Sequence, residues 1–110
     1  MSVTKDLTGF VKLAKTTDIP TGEARTYDFG DDSIALCNVE GAFYAIDNVC
    51  THDDGPLGDG KLVGCEVECP RHGARFDVRT GEVTAMPAAV GVNSYETYVD
   101  GDDIYVKLDD

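Results

Sequence analysis

The sequence predicts an all-β fold, on three observations: apolar residues at helical spacing are nearly absent, short alternating or β-branched runs recur from end to end, and turn residues separate them. Phe10 to Lys15 (FVKLAK) alternates apolar and polar residues as a first strand. Lys15 to Ile19, ahead of Pro20, leaves room for one helical turn at most. Ala24 to Phe29 and Ser33 to Val39 form a pair of strands joined through Gly30-Asp31-Asp32. Glu40-Gly41 is a two-residue hairpin signal leading into Ala42 to Asp47 (AFYAID), so these strands make a contiguous meander. The pattern breaks at Asn48, where a stretch rich in Gly, Asp and Pro runs to Gly64. Strand-like runs resume at Cys65 to Cys69 and at Ala74 to Val78, and Arg79-Thr80-Gly81 turns a small hairpin into Glu82 to Ala85. A last hairpin, Tyr95 to Val99 with Asp103 to Leu108, turns at Asp100-Gly101, a type I′ signal. The middle of the chain is therefore a small loop-rich insertion in a β framework.

At 110 residues the chain is expected to be one domain, residues 1–110, that folds alone. Its 42% apolar and 27% charged residues match an ordinary globular domain rather than a disordered or fibrous one. Met1 followed by a small residue looks like a natural start, and no apolar stretch has the flanks of a secretory signal or the length of a membrane span. A soluble, cytoplasmic protein is expected. Twenty-one acidic against nine basic residues give a net charge of −12. A surface so negative repels nucleic acid and anionic lipid, and it is suited either to docking on basic partners or to a salty medium.

The insertion holds Cys50-Thr51-His52, sixteen intervening residues, and then Cys69-Pro70-Arg71-His72. Each pair lies on a tight loop that begins with Cys. A short loop aims two side chains at one centre with little loss of entropy, and both histidines of the chain are used in this way. Two pairs of soft and borderline ligands so placed are what a metal site needs, and two cysteines with two histidines would satisfy a structural zinc ion.

The pattern C-x-H, about sixteen residues, then C-x-x-H resembles the signature of Rieske iron–sulfur proteins. The likeness extends over Ala42 to Val83, through Phe43-Tyr44-Ala45-Ile46-Asp47 before the first loop, Gly73-Ala74-Arg75-Phe76-Asp77 after the second, and Thr80-Gly81-Glu82-Val83. It implies a Rieske fold: an antiparallel β-sandwich carrying an inserted cluster-binding subdomain at about residues 47–88. It also implies one 2Fe-2S cluster per chain, with Cys50 and Cys69 on one iron and His52 and His72 on the other. Gly55 and Gly73 would let backbone N–H groups approach the cluster, and Pro56 and Met86-Pro87 would shield it from solvent. Cys37 and Cys65 are expected to be buried core thiols, with no disulfide between them.

High-potential members of the family carry a cysteine in each loop and a serine just after the second His-Gly. Here those positions are Gly55, Arg71 and Ala74, which implies a potential in the lower part of the range of roughly −150 to +300 mV. The resemblance is greatest to ferredoxins of bacterial ring-hydroxylating dioxygenase systems. The expected function is thus electron transfer rather than catalysis, by a monomer that passes one electron at a time from a flavin-containing ferredoxin reductase to a terminal oxygenase. The alternatives are a small subunit of nitrite reductase, a redox protein associated with cluster assembly and, from another class, a structural zinc module.

Overall fold

Strand β3 (Asp32–Val39) is the axis of the protein, with residues 34 to 38 buried without interruption. An antiparallel strand with one wet face would alternate. β3 does not, because both of its faces are covered: Ile34 and Leu36 belong to one apolar cluster, and Ala35 and Cys37 to another. The computed structural model describes residues 9–49, 57–70, 73–85 and 91–108, and among them it shows eleven strands in three antiparallel sheets.

The central sheet has the order β2 (Ala24–Phe29), β3, β4 (Ala42–Asp47), β9 (Ser94–Tyr95). Against one face lies a terminal sheet, β1 (Phe10–Lys15), β11 (Asp103–Lys107), β10 (Thr97–Asp100). Ala14, Ile19, Ile34, Leu36, Phe43, Ala45, Ile104 and Val106 fill the space between them. On the other face the insertion supplies a third sheet, β5 (Lys61–Val63), β6 (Glu66–Glu68), β7 (Arg75–Asp77), β8 (Val83–Ala85). Ala24, Ala35, Cys37 and Ile46 of the central sheet meet Val67, Phe76 and Val78 of the insert there, with Leu57, Cys69 and Ala74 in the same cluster.

The expected strands are present, but β1 does not join the expected meander, which is β2, β3 and β4 alone. It pairs with β11, from the far end of the chain, in the terminal sheet, a partner that no local signal announces; four refinements follow. The helical turn before Pro20 is a single 3-10 turn, Thr16–Asp18, whose Asp18 carboxylate accepts the Lys15 N–H at 2.9 Å. Lys61–Val63 is a strand where the sequence showed only Gly-rich loop, and it pairs with β6 through the register Leu62↔Val67. The run from Tyr95 to Val99 is divided: Tyr95 pairs with Ala45 in the central sheet, and from Thr97 the chain pairs with β11 in the terminal sheet.

The fourth refinement concerns the hairpins. Asp100 and Asp103 face each other, so the central residues of the last turn are Gly101-Asp102, and only Gly101, at φ 63°, is left-handed. The type I′ geometry, with both central residues left-handed, occurs instead at Glu40 (φ 51°) and Gly41 (φ 92°). Asn38 supports that turn by accepting the Gly41 N–H at 2.8 Å, while its amide donates to the Ile19 carbonyl at 2.7 Å. The one buried polar residue among those described is thereby satisfied on both sides.

Candidate metal centre

Of the four expected ligands, Cys69 lies among the described residues; Cys50, His52 and His72 lie outside them. Cys69 follows the last residue of β6 and is 1% exposed, within the apolar cluster between the insert and the central sheet. Its loop is tightly closed: the Cys69 N–H donates to the Ala74 carbonyl at 2.7 Å, and the Gly73 N–H donates to the Cys69 carbonyl at 3.1 Å. These two bonds hold Cys69 against Gly73 and Ala74, the described residues on the far side of the ligand pair. Gly73 adopts φ 80°, a left-handed conformation that favours glycine and allows so abrupt a return.

The roots of the other loop are drawn together as well. The Asn48 carbonyl oxygen of the side chain accepts the Gly58 N–H at 2.5 Å, across the segment that contains Cys50 and His52. The Asn48 amide donates to Ser33 Oγ at 3.1 Å, and its backbone N–H donates to the Ser33 carbonyl at 2.9 Å, which fixes the clasp to the central sheet. Gly58 leaves no space for a side chain: a Cβ there would overlap Thr26 Oγ1 and lie 3.0 Å from the Thr26 nitrogen. The first loop therefore ends flush against β2. Leu57, fully buried, shares the apolar cluster of Cys69, so the end of one ligand loop and the start of the other are packed together.

These features fit a 2Fe-2S group. A soft sulfur donor is buried among Leu57, Ala74 and Phe76, in low dielectric, at the base of a closed loop. Among the described residues no three metal-ligating side chains gather, since three of the four candidates lie outside them. Ala74 is fully buried and contributes a methyl group where a hydroxyl would otherwise be available. Gly55, Pro56, Arg71, Met86 and Pro87 also lie outside the described residues.

The remaining cysteines play other parts. Cys37 is fully buried in the central sheet, and burial pushes its thiol up to about 12. It is inert packing, as expected. Cys65 differs from the expectation of a core thiol, because with Val63 opposite Glu66 it falls in the two-residue turn Gly64-Cys65 and is only half-buried. Cys37 and Cys65 are unbridged.

Sequence reasoning missed Asp47 and Tyr95. The Asp47 carboxylate accepts the Tyr95 hydroxyl on Oδ1 and the Asn93 N–H on Oδ2 at 3.1 Å. The partners are 46 and 48 residues apart, and no local spacing announces them. Asp77, at the end of β7, receives a two-pronged contact from Arg79, at 3.0 and 2.8 Å. That hydrogen bonding to the Arg79 guanidinium holds the Asp77 carboxyl below its ordinary range.

Comparison with known proteins agrees with this geometry. Residues 9–96 match the sequence pattern of the Rieske [2Fe-2S] domain. The chain is 38% identical over 98 residues to the ferredoxin component of biphenyl 2,3-dioxygenase from Rhodococcus jostii, covering 89% of this chain and 92% of that one. Its fold is similar to the ferredoxin of carbazole 1,9a-dioxygenase from Nocardioides aromaticivorans, with a TM-score of 0.84, 35% identity, and coverage of 88% and 95% respectively. A similar likeness holds to a chain in a complex of reduced oxygenase and oxidized ferredoxin of carbazole 1,9a-dioxygenase, with a TM-score of 0.84, 32% identity, and coverage of 90% and 93%.

Proposed function

The chain belongs to the Rieske [2Fe-2S] domain family, and from that premise we propose that Cys50 and Cys69 hold one iron of its cluster and His52 and His72 the other. One such cluster per chain makes the protein an electron-transfer component rather than a catalyst. When bound, the cluster supplies one-electron chemistry, and two neutral imidazoles in place of two thiolates let it accept that electron more readily than an all-cysteine cluster. The chain's own residues supply the burial around Cys69 and the closure of both loops.

The redox partners follow from the same premise: a flavin-containing ferredoxin reductase as donor and the terminal oxygenase of an aromatic-ring-hydroxylating system as acceptor. The observation that carries this reading is the end-to-end likeness to dioxygenase ferredoxin components, which leaves little of either chain unmatched. We further assign a low potential within the Rieske range. Ala74 supports it, since a buried methyl group donates no hydrogen bond to a cluster sulfur, and the extra negative charge of the reduced state is less well stabilised. The proposed organisation is a single domain, 1–110, whose cluster-bearing subdomain spans about residues 47–88; the separate sheet β5 to β8 supports it. The proposed compartment is the cytoplasm; among the described residues no helix is long and apolar enough to cross a membrane.

The test is transfer itself. Protein reduced by a ferredoxin reductase and mixed with the oxidised terminal oxygenase of a ring-hydroxylating system is expected to regain its oxidised absorption at a rate proportional to oxygenase concentration. A rate independent of the oxygenase would overturn the assignment of that partner. In a potentiometric titration, a midpoint well above zero would overturn the argument from Ala74.

A further inference from the structure

We propose that Asp47 is a positioning residue for the cluster, acting with Tyr95 to lock together the points at which the chain leaves the central sheet for the insert and returns from it. The inference rests on the four-ligand reading above. β4 ends at Asp47, three positions before Cys50, and the chain comes back to the same sheet at Ser94–Tyr95. The strand pairing there is short, limited to Ala45↔Tyr95 and Ile46↔Ser94. Asp47 extends it with three further bonds. Its N–H donates to the Asn93 carbonyl at 3.0 Å, and its carboxylate accepts the Asn93 N–H and the Tyr95 hydroxyl on different oxygens.

The choice of residue is informative. Among the described residues no cation pairs with Asp47, so the carboxylate is used as a double acceptor for neutral donors. An amide in its place offers one oxygen and one NH2, and one of the two donors would then face another donor. From this staple, contacts run to both ligand loops. In one direction the next residue, Asn48, clasps Gly58 across the first loop. In the other, the Val92 N–H donates to the Gly81 carbonyl at 2.8 Å, and the Gly81 N–H donates to the Asp77 carbonyl at 2.7 Å at the end of β7. β7 pairs with β6, where Glu68 opposite Arg75 immediately precedes Cys69. Asp47 therefore stands where the supports of the two loops meet, and releasing it lets them move relative to each other.

Full-length, cluster-loaded protein is compared with Tyr95→Phe and Asp47→Asn, and with Tyr105→Phe as a control in the terminal sheet. Three quantities are read: the rate at which an iron chelator bleaches the visible absorption, the midpoint potential, and the melting temperature. Loss of the Tyr95 hydroxyl bond is expected to speed bleaching about fivefold, the equivalent of one ordinary hydrogen bond. The potential should also shift, and Tyr105→Phe should change neither. Tyr95→Phe removes only a hydroxyl and so decides the matter even if Asp47→Asn fails to fold. If both variants melt at a lower temperature while bleaching rate and potential are unchanged, the residues are merely structural and the proposal is overturned. Colourless unaltered protein would sink the four-ligand reading and this inference together, whereas coloured protein with unchanged variants would sink the inference alone.

Discussion

Two glycines with the same backbone conformation should respond very differently to a single methyl group. Gly41 has φ 92° and Gly81 has φ 83°, so alanine at either must adopt the left-handed region, at about 1 kcal/mol. At Gly41 a Cβ meets nothing within 4 Å. At Gly81 it would overlap the Val92 carbonyl oxygen and lie 2.9 Å from the Val92 carbonyl carbon, backbone atoms that cannot rotate away. Val92 must move, and the 2.8 Å bond from its N–H to the Gly81 carbonyl is lost or stretched. Breaking this bond, which joins the buried Gly81 to the half-buried Val92, costs about 1–3 kcal/mol more. The totals are then about 1 kcal/mol for Gly41→Ala and about 2–4 kcal/mol for Gly81→Ala. With about 4–8 °C per kcal/mol for a domain near this size, thermal melts of the cluster-loaded proteins separate the two clearly. Equal losses at the two positions would refute the close approach of the insert's last turn to the returning chain.

Three further outcomes are expected. Phe76, fully buried between the insert and the central sheet, should cost about 3–5 kcal/mol as Phe76→Ala and much less as Phe76→Leu, read from the same melts. Asp77 has its carboxyl held below its unfolded value of about 3.9 by Arg79, so its contribution is present above that pH and lost as pH falls through the lower folded value. The stability difference between the unaltered protein and Arg79→Gln should accordingly be widest near neutrality and close in acid; a constant difference would contradict the pairing. Finally, with a net charge of −12 the chain repels itself, and the melting temperature should rise between about 0.01 M and about 1 M NaCl as the screening length falls from roughly 30 to roughly 3 Å. A fall would show that attractive ion pairs outweigh the repulsion.

The strands themselves were legible because the alternation of Phe10–Lys15 and the boundaries at Gly30 and Gly41 are local signals, but the place of Phe10–Lys15 was not, since it pairs with β11 in the terminal sheet and not with the meander. The covering of β3 on both faces was not. The run from Ile34 to Val39 announces burial, but which sheets cover it depends on β11 and on the insert, both distant in sequence. Thr97–Asp100 shows the same limit: a strand that changes sheets keeps its β propensity across Glu96, and only its hydrogen-bond partners differ. Lys61–Val63 was hidden because three residues between glycines carry too little periodicity to register.

At the site, the cysteine and histidine offsets were the strongest signal in the chain, and Cys69 is buried and hydrogen-bonded to Gly73 and Ala74 just beyond the second pair. The supports were not readable in the same way. Asn48 is an ordinary loop residue until it is seen to reach Gly58, and Asp47 is one acid among twenty-one until Asn93 and Tyr95 come to meet it.

The central claim is mixed ligation of one cluster by two thiolates and two imidazoles, and because the chain has only two histidines, isotope labelling addresses it directly. Protein grown with nitrogen-15 histidine is reduced and measured by pulsed electron paramagnetic resonance. The account predicts a 2Fe-2S signal coupled to two histidine nitrogens, with cluster binding or one coupling lost in each of His52→Ala and His72→Ala. A signal without nitrogen coupling, or one whose couplings survive both substitutions, would contradict it.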